Sequence, residues 1–254
     1  MSDSRSHAIR FVLVAPRYGG NVGATARVLK NFGFSRLAVV DPREGTDHEQ
    51  AVRMAVDAGD VLAAATTHPA LDDALATAAT VIGTSRRMGK HRQPHHRLDD
   101  LAPIVAGLAS RGEVAILFGR EDHGLADADL DRCTHLAYIP TAEAYPALNV
   151  AQSVAIVAYE LRRALDREIA PALDPDDEAL ADHAGREAMY AHLEEALLTI
   201  GFLKSGQLEG MMRRLRRILS RAELTAGDVD VVRGISRQIL WLSRQARLPN
   251  PKRP

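Results

Sequence analysis

The chain has 254 residues, of which 46% are hydrophobic and 26% charged, which is enough for one or two folded domains. No apolar run reaches the roughly 18 residues of a membrane span. The single cysteine, Cys133, excludes an intramolecular disulfide and a thiolate metal cage. We therefore expect a soluble, cytoplasmic protein without a metal. The net charge of −1 hides an imbalance, because residues 204–254 carry 12 Lys and Arg against 4 Asp and Glu. This imbalance predicts an acidic partner for the C-terminal region.

Apolar and β-branched segments alternate with helical patterns through the first two thirds of the chain. Five segments predict strands: Ala8–Ala15, Arg36–Val40, Thr80–Gly83, Val114–Gly119 and Leu136–Pro140. Five others predict helices: Val22–Asn31 with Asn21 as its N-cap, Glu49–Ala58, Pro69–Ala78, Leu98–Ser110 and Ala147–Asp166. Strands that alternate with helices at this spacing are typical of an α/β fold with a mostly parallel, doubly wound sheet.

The composition changes after residue 166. Residues 167–182 contain two prolines and an acidic run, and we interpret them as a linker. Beyond it the strand patterns end, and three segments predict helices: Glu187–Phe202, Gln207–Arg221 and a last one to about Arg247. The predicted domains are therefore residues 1–166, with the α/β pattern, and residues 183–254, a small basic domain of helices alone.

The stretch from Val114 to Glu160 is the strongest candidate for a functional site. Its first strand is a continuous apolar run, typical of a strand buried on both faces. That strand ends at Gly119, where a main chain without a side chain can approach a ligand closely. The next strand ends at Pro140. Because open α/β sheets bind ligands at the carboxyl ends of their strands, the polar loops after Gly119 and Pro140 predict a ligand site.

Two other segments carry chemistry but leave alternatives open. Gly19–Gly23 opens a helix as a phosphate-binding loop does, and a structural turn explains it equally well. Ser85–Arg97 carries five Lys and Arg, three histidines and no acid, which favours a polyanion contact over a solvated loop. A metal site there is disfavoured, because neither carboxylate nor cysteine accompanies the histidines.

An arginine-rich helix is predicted in the C-terminal region. Its apolar residues recur at helical spacing and belong to the core, so the arginines occupy the other face. A solvated face is one explanation. Contacts to phosphates explain the run better, because few acids balance its charge. The arginines are Arg213, Arg214, Arg216, Arg217 and Arg221.

Three motifs, in this order, are similar to those of the SPOUT RNA methyltransferases. They are Asn21–Arg27 (NVGATAR), Leu117–Leu125 (LFGREDHGL), and Ile139–Pro140 followed by Leu148–Val150. Thr84 and Ser85 after a strand, together with the C-terminal helices, resemble the TrmJ-like branch of the TrmH family. That branch consists of bacterial tRNA 2′-O-methyltransferases. The resemblance covers roughly residues 9–242.

The resemblance implies a fold, a cofactor and an assembly. The sheet would end in a trefoil knot formed by residues 114–160, which would bind S-adenosylmethionine largely through main-chain groups. Members are homodimers that pack through the knot helices, where this chain has a stripe of small residues after Asn149. The implied substrate is the ribose of the first nucleotide, C or U, of the tRNA anticodon loop.

The same resemblance implies roles for particular residues. Catalytic roles fall on Arg27 and Asn21. Cofactor contacts are expected from Thr84, Ser85, Arg86, Gly119, Glu121, Ile139, Ala147, Leu148 and Asn149. RNA contacts are expected from Arg17, Arg87, Lys90, Arg92, Arg213, Arg214, Arg216 and Arg217.

Two residues separate the possible mechanisms and functions. A guanidinium stays protonated in proteins, so we expect Arg27 to hold a phosphate and stabilise a developing alkoxide rather than act as a base. Ala147 stands where related enzymes commonly have serine, which would remove a hydroxyl contact but keep a main-chain one. The alternatives are 2′-O-methylation of ribosomal RNA and a catalytically silent RNA-binding protein. An NAD-dependent oxidoreductase is disfavoured, because no Gly-x-Gly-x-x-Gly loop is present.

Overall fold

The computed structural model of the protein describes residues 4–86, 95–166 and 178–245. The chain divides into two compact units, Met1–Asp177 and Glu178–Pro254. The described part of the first unit contains a seven-stranded sheet in the order β3-β2-β1-β6-β4-β7-β5, with every neighbouring pair parallel. Its strands are β1 (Ile9–Val14), β2 (Arg36–Val40), β3 (Thr66–His68), β4 (Ala78–Thr84), β5 (His95–Arg97), β6 (Glu113–Phe118) and β7 (His135–Tyr138).

Helices connect the strands that follow one another in the chain, as parallel pairing requires, other than β4 and β5, between which residues 87–94 lie outside the described part. Among them α2 packs against α3 and α8, and α6 packs against α8. A 3₁₀ turn, Val56–Ala58, separates α3 from α4. The helices of this unit are α1 (Ser4–His7), α2 (Gly19–Asn31), α3 (Glu49–Ala55), α4 (Gly59–Ala63), α5 (Leu71–Leu75), α6 (Leu98–Leu108), α7 (Asp127–Leu130) and α8 (Val150–Asp166).

The central strands are buried on both faces. In β1, the side chains of Val12 and Val14 enter a cluster with residues of α5 and α7. Phe11, the residue just before Val12, stacks on Phe118 with ring centroids 6.0 Å apart and also contacts Phe34. Alternate side chains of one strand thus reach apolar partners on opposite faces, which explains the uninterrupted apolar runs in the sequence. The expected α/β class with a mostly parallel sheet is confirmed.

Strand order brings the carboxyl ends of β1 and β6 together. The chain adds β2 and β3 on one side of β1, and then crosses to place β4, β7 and β5 beyond β6. Ligands of open α/β sheets bind where the strand order reverses in this way. The first motif follows β1 and the second follows β6, so the topology delivers both to this point.

Three details differ from the sequence-based predictions. Helix α2 begins at Gly19, so Asn21 lies inside it and the predicted N-cap role of Asn21 is wrong. Tyr18 occupies the N-cap position without a side-chain bond, and the Gly19 N–H donates instead to Glu44 Oε2 at 2.6 Å. The edge strands β3 and β5 were not predicted, since each has only three residues and both are polar.

The second unit, in its described part, consists of α9 (His183–Thr199), α10 (Leu208–Leu219) and α11 (Ala226–Gln245) with two 3₁₀ turns. Thr225 and Asp228 form a reciprocal capping box: Thr225 N donates to Asp228 Oδ2 at 2.9 Å, and Asp228 N donates to Thr225 Oγ1 at 3.3 Å. The buried core consists of Ala181, Met189, Tyr190, Leu203, Met212, Leu224 and Val229. Among the described residues of both units, no helix is long and apolar enough to cross a membrane.

Candidate active site

The loop after β6 is a tight turn held by its own main chain. Gly124 N donates to Arg120 O at 2.8 Å, and the same two residues form an isolated antiparallel bridge. A Cβ on Gly119 would lie 2.1 Å from both Gly124 C and Leu125 N, far inside contact distance. Gly119 is therefore required because the two ends of its own loop pass so close together.

A charged cluster fixes the outer side of this loop. Asp122 accepts two hydrogen bonds from the Arg120 guanidinium, at 3.1 and 2.9 Å, and it also pairs with Arg17. His123 Nδ1 lies 3.0 Å from Asp122 Oδ1. The hydrogen bonds from Arg120, followed by that from His123, hold the pKa of the Asp122 carboxyl well below its usual range. Asp122 thus stays ionised and ties the turn after β1 to the turn after β6.

A chain of hydrogen bonds joins all three motifs. Asn21 Nδ2, in the first turn of α2, donates to Glu121 Oε1 at 2.7 Å. Asn149 Nδ2 donates to Asn21 Oδ1 at 3.0 Å. The second oxygen of Glu121 accepts from the main-chain N–H of Arg17 at 3.0 Å. Residues 100 and 128 positions apart in the sequence are therefore direct neighbours at one edge of the sheet.

The network fixes how each amide is oriented. Asn149 Oδ1 accepts from the main-chain N–H of Ala151 at 2.8 Å and so caps α8, which leaves Nδ2 as its remaining donor. That donor requires an oxygen from Asn21, whose own Nδ2 must then face Glu121. An ionised carboxylate only accepts, so it suits this position. Asn21, Glu121 and Asn149 form a rigid positioning unit, which we call the three-motif network.

The end of β4 is fastened to the strands on either side. Thr84 Oγ1 donates to Leu117 O of β6 at 2.7 Å. Ser85 N donates to Ala137 O of β7 at 2.9 Å, and Ser85 O is 2.5 Å from His95 Nε2 of β5. Arg86 is exposed and makes no hydrogen bond with the described residues. The expected cofactor contacts at Thr84, Ser85 and Arg86 thus lie on a firmly held piece of main chain.

The segment between β7 and α8, unlike the end of β4, leaves main-chain groups without hydrogen bonds in the described chain. The main-chain groups of Ile139, Ala147 and Leu148 form no hydrogen bond within the described parts of the chain. Thr141 Oγ1 donates to Pro146 O at 3.3 Å, a contact that keeps the two ends of the segment near each other. The segment therefore presents unpaired main-chain donors and acceptors beside the half-buried side chains of Ile139 and Leu148.

Arg27 is not part of the three-motif network. It lies six residues after Asn21 on α2, about 9 Å along the helix and about 120° around it. Its side chain is exposed and has no hydrogen-bond or ion-pair partner in residues 4–86, 95–166 and 178–245. The single chain therefore brings Asn21 to the motif network but turns the Arg27 guanidinium away from it.

Comparison with known proteins decides the family. Residues 8–159 match the model of the SpoU rRNA Methylase family, and residues 185–251 match the C-terminal domain of tRNA methyltransferase TrmJ. The chain belongs to the SpoU methylase family. It is accordingly a methyltransferase, and the predicted family and enzyme class are confirmed.

Two relatives of this SpoU methylase cover nearly its whole length. The tRNA (cytidine/uridine-2′-O-)-methyltransferase TrmJ of Yersinia pestis (strain Pestoides F) is 37% identical over 90% of each chain. The tRNA (cytidine/uridine/adenosine-2′-O-)-methyltransferase TrmJ of Pseudomonas aeruginosa is 35% identical over 89% of this chain and 91% of its own. Among solved structures, TrmJ from Z. mobilis ZM4 has a TM-score of 0.78 and 29% identity, covering 91% of this chain and 98% of the other.

The arginines expected to bind RNA have different surroundings in this SpoU methylase. Arg17 is paired with Asp122, and Arg87, Lys90 and Arg92 lie outside the described residues. In α10, Arg216 pairs with Glu187 and stacks over the Tyr190 ring at 4.3 Å. Of the other three, Arg213 and Arg214 are exposed and Arg217 is half-buried: Arg213 bonds to Glu209, and Arg214 and Arg217 have no such partner in the described chain.

A cavity of about 610 Å³ lies beside the site of this SpoU methylase, and no sequence pattern predicts it. It is lined by the carboxyl ends of β1 and β2, including Ala15 and Asp41, and by Arg120 and His123 of the loop after β6. Ala15 and Asp41 both have positive φ, 49° and 44°, which is strained for residues other than glycine.

Across the described residues, no group of His, Cys, Asp and Glu is arranged to hold a metal ion.

Proposed function

We propose that this SpoU methylase transfers a methyl group from S-adenosylmethionine to a ribose 2′-hydroxyl of tRNA, at the first nucleotide, C or U, of the anticodon loop. The observation that carries the proposal is the three-motif network, because it joins the motif segments at the sheet edge where a ligand site is expected. The names of the Yersinia and Pseudomonas relatives support a 2′-hydroxyl of tRNA as the acceptor.

The residues around the network fit this methyl donor. Its adenine and amino-acid parts need apolar contact together with main-chain donors and acceptors. Ile139, Ala147 and Leu148 would supply these, with Arg86 just after β4, the strand that pairs with β7. When bound, S-adenosylmethionine supplies a methyl group already activated by a sulfonium. The protein then has to hold the hydroxyl in line with that group and help to remove its proton.

Arg27 would act on the acceptor as an electrostatic clamp. A guanidinium stays protonated in proteins, and that of Arg27 has no hydrogen-bond or ion-pair partner among the described residues, so it can bind the phosphate beside the target ribose and stabilise the developing alkoxide. Because α2 turns Arg27 away from Asn21, we infer that it serves the site of a partner subunit in a homodimer packed through α8. We also propose that residues 114–160 form the trefoil knot that the family resemblance implies. Sedimentation should then show a dimer, and a monomer with full activity would contradict this arrangement.

RNA contact is assigned to the C-terminal domain, residues 183–254, and to the basic segment after β4. On α10, Arg213 and Arg214 are exposed and Arg217 is half-buried, and phosphate contacts from such arginines position RNA without reading its sequence. Arg216 is bound to Glu187 and Tyr190, so its removal should weaken the fold of the domain as well as any RNA contact.

The direct test is transfer of labelled methyl from S-adenosylmethionine to bulk tRNA and, in parallel, to ribosomal RNA. Label at the 2′-hydroxyl of the first anticodon-loop nucleotide would support the whole proposal. The family model that matches residues 8–159 bears the name of ribosomal RNA methylases, so label in ribosomal RNA alone would favour that acceptor. No label with the donor still bound would favour a silent RNA-binding protein.

A single substitution tests the clamp. Arg27→Ala should lower kcat by roughly 10²- to 10³-fold, as loss of one transition-state donor does, while the Kd for S-adenosylmethionine stays the same. Arg53→Ala is the matched control, because Arg53 is another exposed helix arginine without a partner in the described chain, and it should behave as wild type. Wild-type turnover in the Arg27 variant would rule out a catalytic role for this residue.

A further inference from the structure

His95 connects the ends of two strands that carry expected donor contacts. Its Nε2 lies 2.5 Å from the carbonyl oxygen of Ser85, the residue that follows β4. Its ring meets the ring of Tyr138 edge to face, with centroids 5.1 Å apart and an interplanar angle of 73°. Tyr138 is the last residue of β7 and immediately precedes Ile139. A residue from the edge strand β5 thus contacts the main chain at the end of β4 through Ser85 and the last side chain of β7 through Tyr138.

The contact with Ser85 fixes a complete peptide unit. In the sheet, β7 separates β4 from β5, so the Ser85 carbonyl points across the end of β7 towards β5. The described chain has no cis peptide, and in a trans peptide the carbonyl and the next N–H point in opposite directions. The Arg86 N–H therefore points away from β5, towards the side of the sheet on which β6 lies. It has no hydrogen-bond partner in the described residues.

We propose that His95 is a positioning residue for the methyl-donor site: it holds the Ser85–Arg86 peptide so that the Arg86 N–H is presented to the bound donor. The proposal rests on the function proposed above. The carbonyl can only accept, so Nε2 must carry the proton in this contact. A neutral imidazole with its proton on Nε2 fulfils the role, and so does an imidazolium.

Nothing in the sequence pattern pointed to this role for His95. It belongs to a polar segment that also contains His91 and His96, in which the sequence disfavours a metal site. His91 lies outside the described residues, and the structure gives His95 and His96 different neighbours. His96 approaches His135, with ring centroids 6.1 Å apart, whereas His95 turns to Ser85 and Tyr138. Adjacent residues of a strand face opposite sides, so the two histidines have different neighbours.

The test is calorimetric binding of S-adenosylmethionine to the full chain and to four variants. His95→Ala should raise the Kd roughly tenfold, the cost of one lost positioning hydrogen bond. His95→Gln should restore binding to within about twofold, because the Gln amide nitrogen reaches the place of Nε2 with a donor. His95→Asn, one methylene shorter, should remain weak. His96→Ala is the matched control on the opposite face and should bind as wild type.

Kinetics separate positioning from catalysis and from damage to the fold. In His95→Ala the KM for S-adenosylmethionine should rise while kcat at saturating donor and the KM for tRNA change by less than about twofold. Equal weakening in His95→Ala and His95→Gln, or a wild-type Kd in His95→Ala, would overturn the role of His95. If the wild-type chain binds no S-adenosylmethionine, the proposed donor itself is wrong, a result distinct from failure of the histidine alone.

Discussion

The loops after β6 and β7 leave the same edge of the sheet but are built in opposite ways. In the loop of residues 119–125, the turn closes on itself through Gly124 and Arg120, and Glu121 and Asp122 bond to the segment after β1. In the loop of residues 139–149, Ile139, Ala147 and Leu148 leave their main-chain groups unpaired within the described chain. The first loop therefore positions other residues, whereas the second offers groups to a ligand.

The largest effect is expected at Gly119, where the loop after β6 is tightest. Gly119→Ala should lower the free energy of unfolding by more than about 3 kcal/mol, because the added Cβ meets main-chain atoms that cannot rotate away. Urea unfolding measures this change. Gly59→Ala is the control, since a Cβ there meets nothing within 4 Å, and it should be neutral or slightly stabilising. A neutral Gly119→Ala would show that the loop is looser than described.

The next effect concerns Glu121, which connects that loop to the first motif. Glu121→Gln leaves one of two donors, Asn21 Nδ2 or Arg17 N, facing an NH₂ group instead of an oxygen. We expect a loss of about 1–3 kcal/mol in the free energy of unfolding, together with lower turnover. Glu143→Gln in the loop after β7 is the matched control, because Glu143 is exposed and has no partner in the described residues. Equal stability of the two variants would remove the proposed difference between the loops.

A smaller, pH-dependent effect is expected at Cys133, which follows the loop after β6 through α7. The thiol is buried, and this burial raises its pKa well above the ordinary value. In the unfolded chain the thiol ionises above about pH 8.5, whereas in the folded chain it stays protonated. Its contribution to the free energy of unfolding is therefore complete below about pH 8.5 and is lost as the pH rises further. Above about pH 8.5, the free energy of unfolding of the wild type should fall by about 1.4 kcal/mol per pH unit more than that of Cys133→Ala.

Thiol labelling checks the same residue at neutral pH. Because Cys133 is only 2% exposed, a thiol reagent should react at the rate of unfolding and not faster. Rapid labelling of the folded protein, or parallel stability profiles for wild type and Cys133→Ala between pH 8 and 9.5, would contradict a firmly packed segment after β6.

The smallest effect is expected at Ala147 in the loop after β7. If this loop binds the donor through its main chain, Ala147→Ser should change the free energy of unfolding by less than about 0.5 kcal/mol and leave the Kd for S-adenosylmethionine unchanged. Methyl transfer under saturating donor provides a second measurement. A severalfold gain in turnover would show that a hydroxyl at this position contacts donor or RNA, and that the side chain of this loop matters as well as its backbone.

The parts predicted from the sequence are those whose signal is local. Central strands such as β1 and β6 were found because burial on both faces demands continuous apolar residues. β3 was missed because an exposed three-residue edge strand carries no such pattern. Asn21, Glu121 and Asn149 were selected through motif resemblance, but their mutual bonds depend on sheet order, which places residues over 100 positions apart in contact. The role of His95 follows from β5, an element the sequence did not reveal.

The two short edge strands also affect how the protein associates with itself. A long unpaired edge is a template on which another chain can add a strand, and this is a common route to aggregation. Here β3 and β5 offer only three residues each, and their Thr, His and Arg side chains are polar. The addition of a strand from another chain is therefore disfavoured at both edges of the sheet. Two copies that meet, for example while nascent chains fold side by side on a polysome, would therefore gain few main-chain hydrogen bonds at these two edges.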